Sequence, residues 1–231
     1  METLVTKKVS IVLPLIIERN MEYKDRILQK ATDLFMRYGI RSITMDEIAA
    51  QLGISKKTIY QFFTDKDEIV EAVVNQQCKK NELECIEFRK NSENAVHAIV
   101  IAMQETEEML SGMNPLIMYD LEKHHPKSFK RFKDFKYQFF FKEIKENLQR
   151  GIEEELYRPD LIIDIVAKHR IESAFMGFNQ DLFPHSRYNM GDVINELGYL
   201  FLYSITTLKG RKMIEKYIQK NVQKNKHGLY E

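Results

Sequence analysis

Lys56, Lys57, Thr58, Tyr60 and Gln61 lie within six residues and supply two ammonium groups, two hydroxyls and a carboxamide, with no acid among them. Such a set donates hydrogen bonds to phosphate oxygens and reads base edges: a lysine can meet guanine O6 and N7, and a threonine methyl can touch thymine. Ser55 precedes the set and Ile59 interrupts it. With Phe62, Ile59 supplies an apolar side on which the polar groups could be mounted.

Such groups act only if a rigid element presents them, and residues 44–63, TMDEIAAQLGISKKTIYQFF, describe one. Thr44 and Glu47 have the spacing of a capping box, in which the threonine caps the helix start and the glutamate reaches back. Ile48 and Leu52 share a face, and Ala49 permits close helix approach. Gly53 supplies the backbone freedom of a sharp turn, and Ser55 is a good cap for the next helix. The pattern predicts a helix-turn-helix whose second helix enters a major groove. Upstream, Ile27, Leu28, Ala31, Leu34, Phe35 and Tyr38 recur at three- and four-residue intervals, predicting a core-facing support helix that stops at Gly39. Downstream, Thr64 and Asp67 offer a capping pair before Ile69, Val70, Val73 and Val74 open a longer helix.

From Arg26 to Val74, RILQKATDLFMRYGIRSITMDEIAAQLGISKKTIYQFFTDKDEIVEAVV, the chain resembles the tetracycline-repressor-like (TetR) family of bacterial transcription regulators. The two glycines, the Thr44 cap, the KKTIYQFF helix and Lys66 follow that family's pattern, while Gln61 stands where many members carry a histidine. The resemblance implies an all-α homodimer with an N-terminal three-helix DNA-binding domain. It also implies a larger C-terminal helical domain for ligand binding and dimerisation. Repression of transcription, released by a small effector, is the expected function; activation is the rarer mode.

For DNA contact the candidates are Thr44, Ser55, Lys56, Lys57, Thr58, Tyr60, Gln61 and Lys66. Lys56, Lys57 and Thr58 occupy the first turn of the reading helix. Tyr60 reaches phosphate through its hydroxyl or is buried. Thr44 and Lys66 stand at helix N-termini, where backbone N–H groups hold phosphates. The alternative for Thr44 is plain capping, and for Lys66 an ordinary solvated charge.

Composition is consistent with a helical protein: 5 prolines and 9 glycines in 231 residues leave few wide loops, and no segment alternates like a strand. A net charge of +1 excludes a generic polyanion binder, so nucleic-acid affinity must be local. Cys78 and Cys85, seven residues apart on one predicted helix, are about 10 Å apart along its axis. That is too far for a disulfide, and reduced thiols in a cytoplasmic protein are expected. Residues 1–20 read as a leader or flexible arm: the apolar run VSIVLPLII is short, contains Pro14 and lacks a cleavage site. It is also too short to span a membrane.

The domains expected are 1–20, the arm; 21–66, the reader; 67–221, the helical effector-binding and dimerisation domain; and 222–231, a polar tail. In the third, helices are predicted from Ala95 to Leu110, from Pro115 through Leu121, from Pro126 to about Gly151, and after Pro159. The last strong apolar stripe runs from Val193 to Leu208, and a basic helix ends near Gln219. An apolar cavity could be lined by Met103, Met109, Met113, Met118 and Tyr119, with Phe132, Tyr137, Phe140, Phe175 and Met176. Methionine adapts to irregular shapes and aromatic rings offer flat contacts, so a small apolar or amphipathic effector would suit them. The same stripes could equally be plain packing.

A dimer would use Leu161, Ile165, Phe175 and Phe178 of one helix with Val193, Leu197, Phe201 and Ile205 of the next, forming a four-helix bundle. Each could instead face the chain's own core. Twofold symmetry would present two reading helices to a palindromic operator of double-stranded DNA. His124 and His125 diverge by about 100° on a helix, and no zinc spacing occurs, so no metal site is expected. The lysines of residues 127–136 read as the wet side of an amphipathic helix. No phosphate-binding glycine loop or nucleophile elbow is present, so neither an enzyme nor a cofactor is expected. The alternative function is a helical binding or assembly protein that has lost DNA affinity.

Overall fold

A computed structural model describes residues 22–110 and 112–227. The expected arm, residues 1–20, and the end of the expected tail lie outside the described residues. Helix α1, 22–38, buries Ile27, Ala31 and Phe35 and ends where Gly39 takes φ 82°. Tyr38, expected in the core, is half exposed in the last turn of α1.

Helix α2, Met45–Leu52, opens on the predicted capping box: the Glu47 N–H donates to Thr44 Oγ1 at 3.2 Å, and the Thr44 N–H donates to Glu47 Oε2 at 2.6 Å. Gly53 then closes it at φ 65°. Helix α3, Lys56–Tyr60, starts at Ser55, whose Oγ accepts from the Thr58 N–H at 3.1 Å. Since α3 stops at Tyr60, the chain turns and buries Phe63 fully, leaving Phe62 only half-buried.

Helix α4, Lys66–Asn91, is 26 residues and about 39 Å long. Its cap is Asp65, which accepts from the Glu68 N–H at 2.8 Å, and Thr64 pairs with Glu68. The pairing expected between Thr64 and Asp67 is replaced, because the helix begins one residue later than that spacing required. The core that Ile48, Ile59, Ile69 and Val70 fill continues past Lys66 and takes in Ile117 and Leu121.

The remaining chain forms α5 (Ala95–Leu110), α6 (Ile117–His124) and α7 (Pro126–Phe135). One π turn, Lys136–Phe140, joins α7 to α8 (Phe141–Glu153). Then follow α9 (Ile163–Phe175), a 3₁₀ turn at Met176–Phe178, α10 (Met190–Ile205) and α11 (Leu208–His227). Helices α6 and α9 start later than their prolines suggested, and α11 outruns its expected end. Pro126 does occupy the first turn of α7, where its missing N–H costs nothing.

Helix α5 packs on α10 and α11, α8 on α9, and α7 on α4. A second core gathers Val96, Leu148, Tyr157, Leu202 and Ile214. No strand occurs among the described residues, only an isolated bridge between Tyr157 and Thr206. No helix among them is long and apolar enough to cross a membrane.

Candidate nucleic-acid interface and effector cavity

Capping at both ends of the α2–α3 turn fixes the angle at which α3 leaves the head. Ile59 and Phe63 pin α3 to α1 and α2, so Ser55, Lys56, Lys57, Tyr60 and Gln61 stay exposed and Thr58 half-exposed. Tyr60 is 47% exposed, which removes the buried alternative. Lys56 and Lys57 differ in availability. Lys56 Nζ lies 2.7 Å from Asp46 Oδ2, and this hydrogen bond raises its pKa, whereas Lys57 makes no ion pair among the described residues. Thr44 is exposed and its oxygen serves the cap, leaving its O–H to donate.

Lys66 does not join this face. Its Nζ donates to the Ile40 carbonyl at 2.6 Å and lies 6.0 Å from the Phe35 ring centre. Burial depresses its pKa, opposed by the charge of Asp120. Its half-buried side chain is a clamp between α4 and the α1–α2 turn, with its ammonium turned to the protein's own backbone. Unforeseen at the other end of α3 are Tyr23, stacked on Phe62, and Lys24, over the Phe63 ring. Their place in the first turn of α1 is the signal that could have drawn attention to them.

The head is tied to the body through α6. Buried Asp120 accepts from the Arg41 N–H at 2.9 Å, and the Asn114 N–H donates to the Met36 carbonyl at 2.6 Å. Gly39 is required here twice: its φ is positive, and a Cβ would stand 3.2 Å from Asp120 Oδ2. At the α6–α7 corner buried His125 contacts Asp67 at 2.5 Å, fastening the same region to the start of α4.

Behind these ties lies a cavity of about 970 Å³ between α4, α5, α8, α9 and α10, reaching the head at Phe35 and Met36. Of the expected liners, Met103, Met109, Met113, Met118, Phe132, Phe140 and Phe175 meet on its walls. Tyr119, Tyr137 and Met176 do not. The Tyr119 hydroxyl accepts from Lys123 at the surface, Tyr137 donates to Glu172, and Met176 lies in the 3₁₀ turn outside the walls. Lys136, expected in water, is buried beside Glu172, its ammonium 4.8 Å from the centre of the Phe175 ring.

The walls also carry polar groups that the apolar stripes gave no hint of, among them Arg89, Glu143, Asn147 and Arg170. Burial raises the pKa of Glu143 against the pull of Arg89. Cys78 and Cys85 line the cavity too, but burial pushes both thiols up, Cys85 to about 12, so neither is a thiolate at neutral pH.

The expected dimer stripe is only partly outward. Val193, Phe201 and Ile205 are buried in the chain's own core, Phe175 and Phe178 stack on one another, and Leu161 packs against the second core. Val193, Phe201 and Ile205 cannot meet a partner without opening the fold, whereas Leu161, Phe175 and Phe178 are half-buried. Leu197 is half-buried, and Ile165 is the one residue of the set that is well exposed, at 62%. Ile162, just before α9, and Leu200 and Tyr203 on α10 are exposed as well.

Residues 27–73 match the family model described as bacterial regulatory proteins, tetR family. Over 101 residues, 43% of this chain, it is 35% identical to an uncharacterized HTH-type transcriptional regulator, YvaF, of Bacillus subtilis. The match spans about half of that relative's length, 53%. Among solved structures it is similar to a TetR-family transcriptional regulator from Agrobacterium tumefaciens, with TM-score 0.69 and 17% identity over 81% of this chain and all of that one. The FadR transcriptional regulator of B. subtilis in complex with stearoyl-CoA has TM-score 0.56 and 14% identity, covering 76% of this chain and 96% of its own. At such identities the likeness concerns the fold.

Proposed function

We propose that this chain, a tetR-family regulator by its N-terminal domain and its fold, binds operator DNA as a homodimer and releases it when a small molecule fills the cavity. The observation that carries the reading is α3. It is pinned by Ile59 and Phe63, stripped of acids, and holds Lys57, Thr58 and Tyr60 outward on a capped, solid head. The DNA-contact set is Thr44, Ser55, Lys56, Lys57, Thr58, Tyr60 and Gln61, with Lys57 as its free cation. The body's role is binding, as in FadR, which holds stearoyl-CoA.

The exposed apolar face of α9 and α10, with Ile162 at 65% and Leu200 at 58%, supports a twofold contact. Such a contact would set two α3 helices about 34 Å apart, or a multiple of that, for a palindrome. Release follows from geometry. A ligand between α4, α5 and α8 displaces α6, and Asp120 and Asn114 carry that shift to the backbone of the α1–α2 turn. The ligand must bind the DNA-incompetent state more tightly, since only differential affinity moves an equilibrium.

The test is anisotropy titration of the full chain against fragments from upstream of its own gene, at two salt concentrations. Affinity should fall steeply with salt. Lys57→Ala should weaken binding by about 1–3 kcal/mol if it reads a base, or lower the salt slope by about 1 if it meets phosphate. Lys56→Ala should do less, because Asp46 already holds that charge. A parent protein that binds no fragment at low ionic strength would return the chain to the class of helical assembly proteins.

A further inference from the structure

Arg170 stands out among the cavity's walls because it is a cation without a visible counter-charge. It lies on α9 beside Ile171 and one turn before Ala174, both of which line the same space. Its guanidinium carbon is 5.2 Å from the centre of the Phe201 ring. Its Nη1 is shut off from solvent and has no hydrogen-bond partner, the sole side-chain atom in that state among the described residues. No ion pair to Arg170 occurs among them either, and the polar neighbour that acts on it is the buried phenol of Tyr157.

Burial lowers the pKa of Arg170 to about 10, which still leaves it charged at neutral pH. The side chain as a whole is half-buried on the cavity wall while its Nη1 is sealed off. A charge so placed without a partner is unfavourable, which calls for a compensating group that arrives from outside. The carboxylates of Glu143, Glu146 and Glu154 pair with other arginines and not with Arg170. Arg89 pairs with Glu143 and Glu146, and Arg150 lies 2.7 Å from Glu154.

We propose that Arg170 is the anion-binding end of the effector cavity, and that the ligand is an amphiphile with an oxyanion head, carboxylate or phosphate, and an apolar tail. The inference rests on the effector reading above and adds the ligand's chemical class. The planar guanidinium fork fits either oxyanion, and its fixed geometry orients the head. The tail runs along Met103, Phe140, Phe175 and Ile144, walls that methionine and phenylalanine keep apolar and adaptable. At about 970 Å³ the space reaches the upper end of the roughly 300–1,000 Å³ of small-molecule pockets, enough for a chain as well as a head.

The experiment is calorimetric titration of the full-length chain with dodecanoate, dodecyl phosphate and dodecan-1-ol, each below its micellar concentration. One acid should bind at least about 10-fold tighter than the alcohol, a difference of about 1.4 kcal/mol, and which acid leads identifies the head. Arg170→Met should abolish that preference while leaving the alcohol's affinity unchanged or improved. Its melting temperature should not fall, since an unpartnered charge is gone from the cavity wall. Should R170M not fold, R170Q removes the charge while keeping an amide donor and is read in the same way.

Equal affinity for acid and alcohol, an acid preference that survives R170M or R170Q, or no binding of any of the three overturns the inference. Anisotropy on the same samples separates it from the regulator reading. If a neutral amphiphile releases DNA and acids are not preferred, the anion site falls and the regulator stands. If an acid binds through Arg170 to a protein that ignores DNA, the site stands and the regulator falls.

Discussion

The head is solid and the body is hollow. In the head, Ile27, Ile48, Ile59 and Ile69 have no exposed surface, and α2, α3 and α4 each start at a side-chain cap, Thr44, Ser55 and Asp65. In the body, α5 and α10 keep caps at Asn94 and Asn189, but α6, α7 and α9 begin without any such cap, a π turn interrupts α7–α8, and about 970 Å³ stays open. Packing and caps hold a reading surface still. Missing caps and missing volume leave helices that a ligand can push. A π turn inside a helix is a frequent mark of such working regions.

The contrast breaks most visibly under truncation. Ile59→Ala should cost about 2–5 kcal/mol, because the void forms in a closed core. Phe140→Ala removes a larger ring, yet that ring already faces open space on one side, so the loss should be about half as large. Chemical denaturation of both variants decides it. If F140A is the more damaging, the body is packed as tightly as the head.

A middle-sized effect is expected at the joint. Asp120→Ala leaves the Arg41 N–H without its acceptor and Lys66 without its strongest compensating charge, for about 1–3 kcal/mol. Asp120→Asn, which keeps an acceptor, should lose less. The sharper readout is coupling: in D120A, ligand should still bind the cavity while its effect on DNA affinity shrinks. Unaltered coupling would move the transmission path to the His125–Asp67 contact.

How much the sequence disclosed follows the same divide. The caps at Thr44 and Ser55 and the turns at Gly39 and Gly53 depend on residues within one turn of each other, so spacing alone exposes them. Phe62 and Phe63 were exchanged because helical periodicity was carried past the point where α3 stops. Lys66 reads as a phosphate contact or a solvated charge and Lys136 as a solvated one, yet each is placed by partners 26 and 36 residues away, Ile40 and Glu172. A stripe such as Val193, Phe201 and Ile205 announces burial without naming what will cover it. Arg170 was passed over entirely, since a search for apolar liners has no reason to stop at a charge.

The smallest effects, and the last way to sharpen the comparison, lie in pH. In the head, hydrogen bonds from the Thr64 backbone and hydroxyl hold Glu68 below its ordinary 4.5. Its folded form therefore keeps the proton off where the unfolded chain takes it up, and that stabilisation is lost as pH falls below about 4.5. In the body, burial raises Glu143 above the same 4.5, outweighing Arg89. There the folded state holds the proton longer than the unfolded one, so stability is greater at acid pH and declines as pH rises through the raised value. The two carboxylates thus pull in opposite directions across the acid range. Glu68→Gln should flatten the acid-side loss, and Glu143→Gln should flatten the decline above about 4.5, both read from melting temperatures between pH 3 and 7. Two variants with slopes of the same sign would mean that Glu143 is governed by Arg89, and that the cavity wall there is wetter than its neighbours indicate.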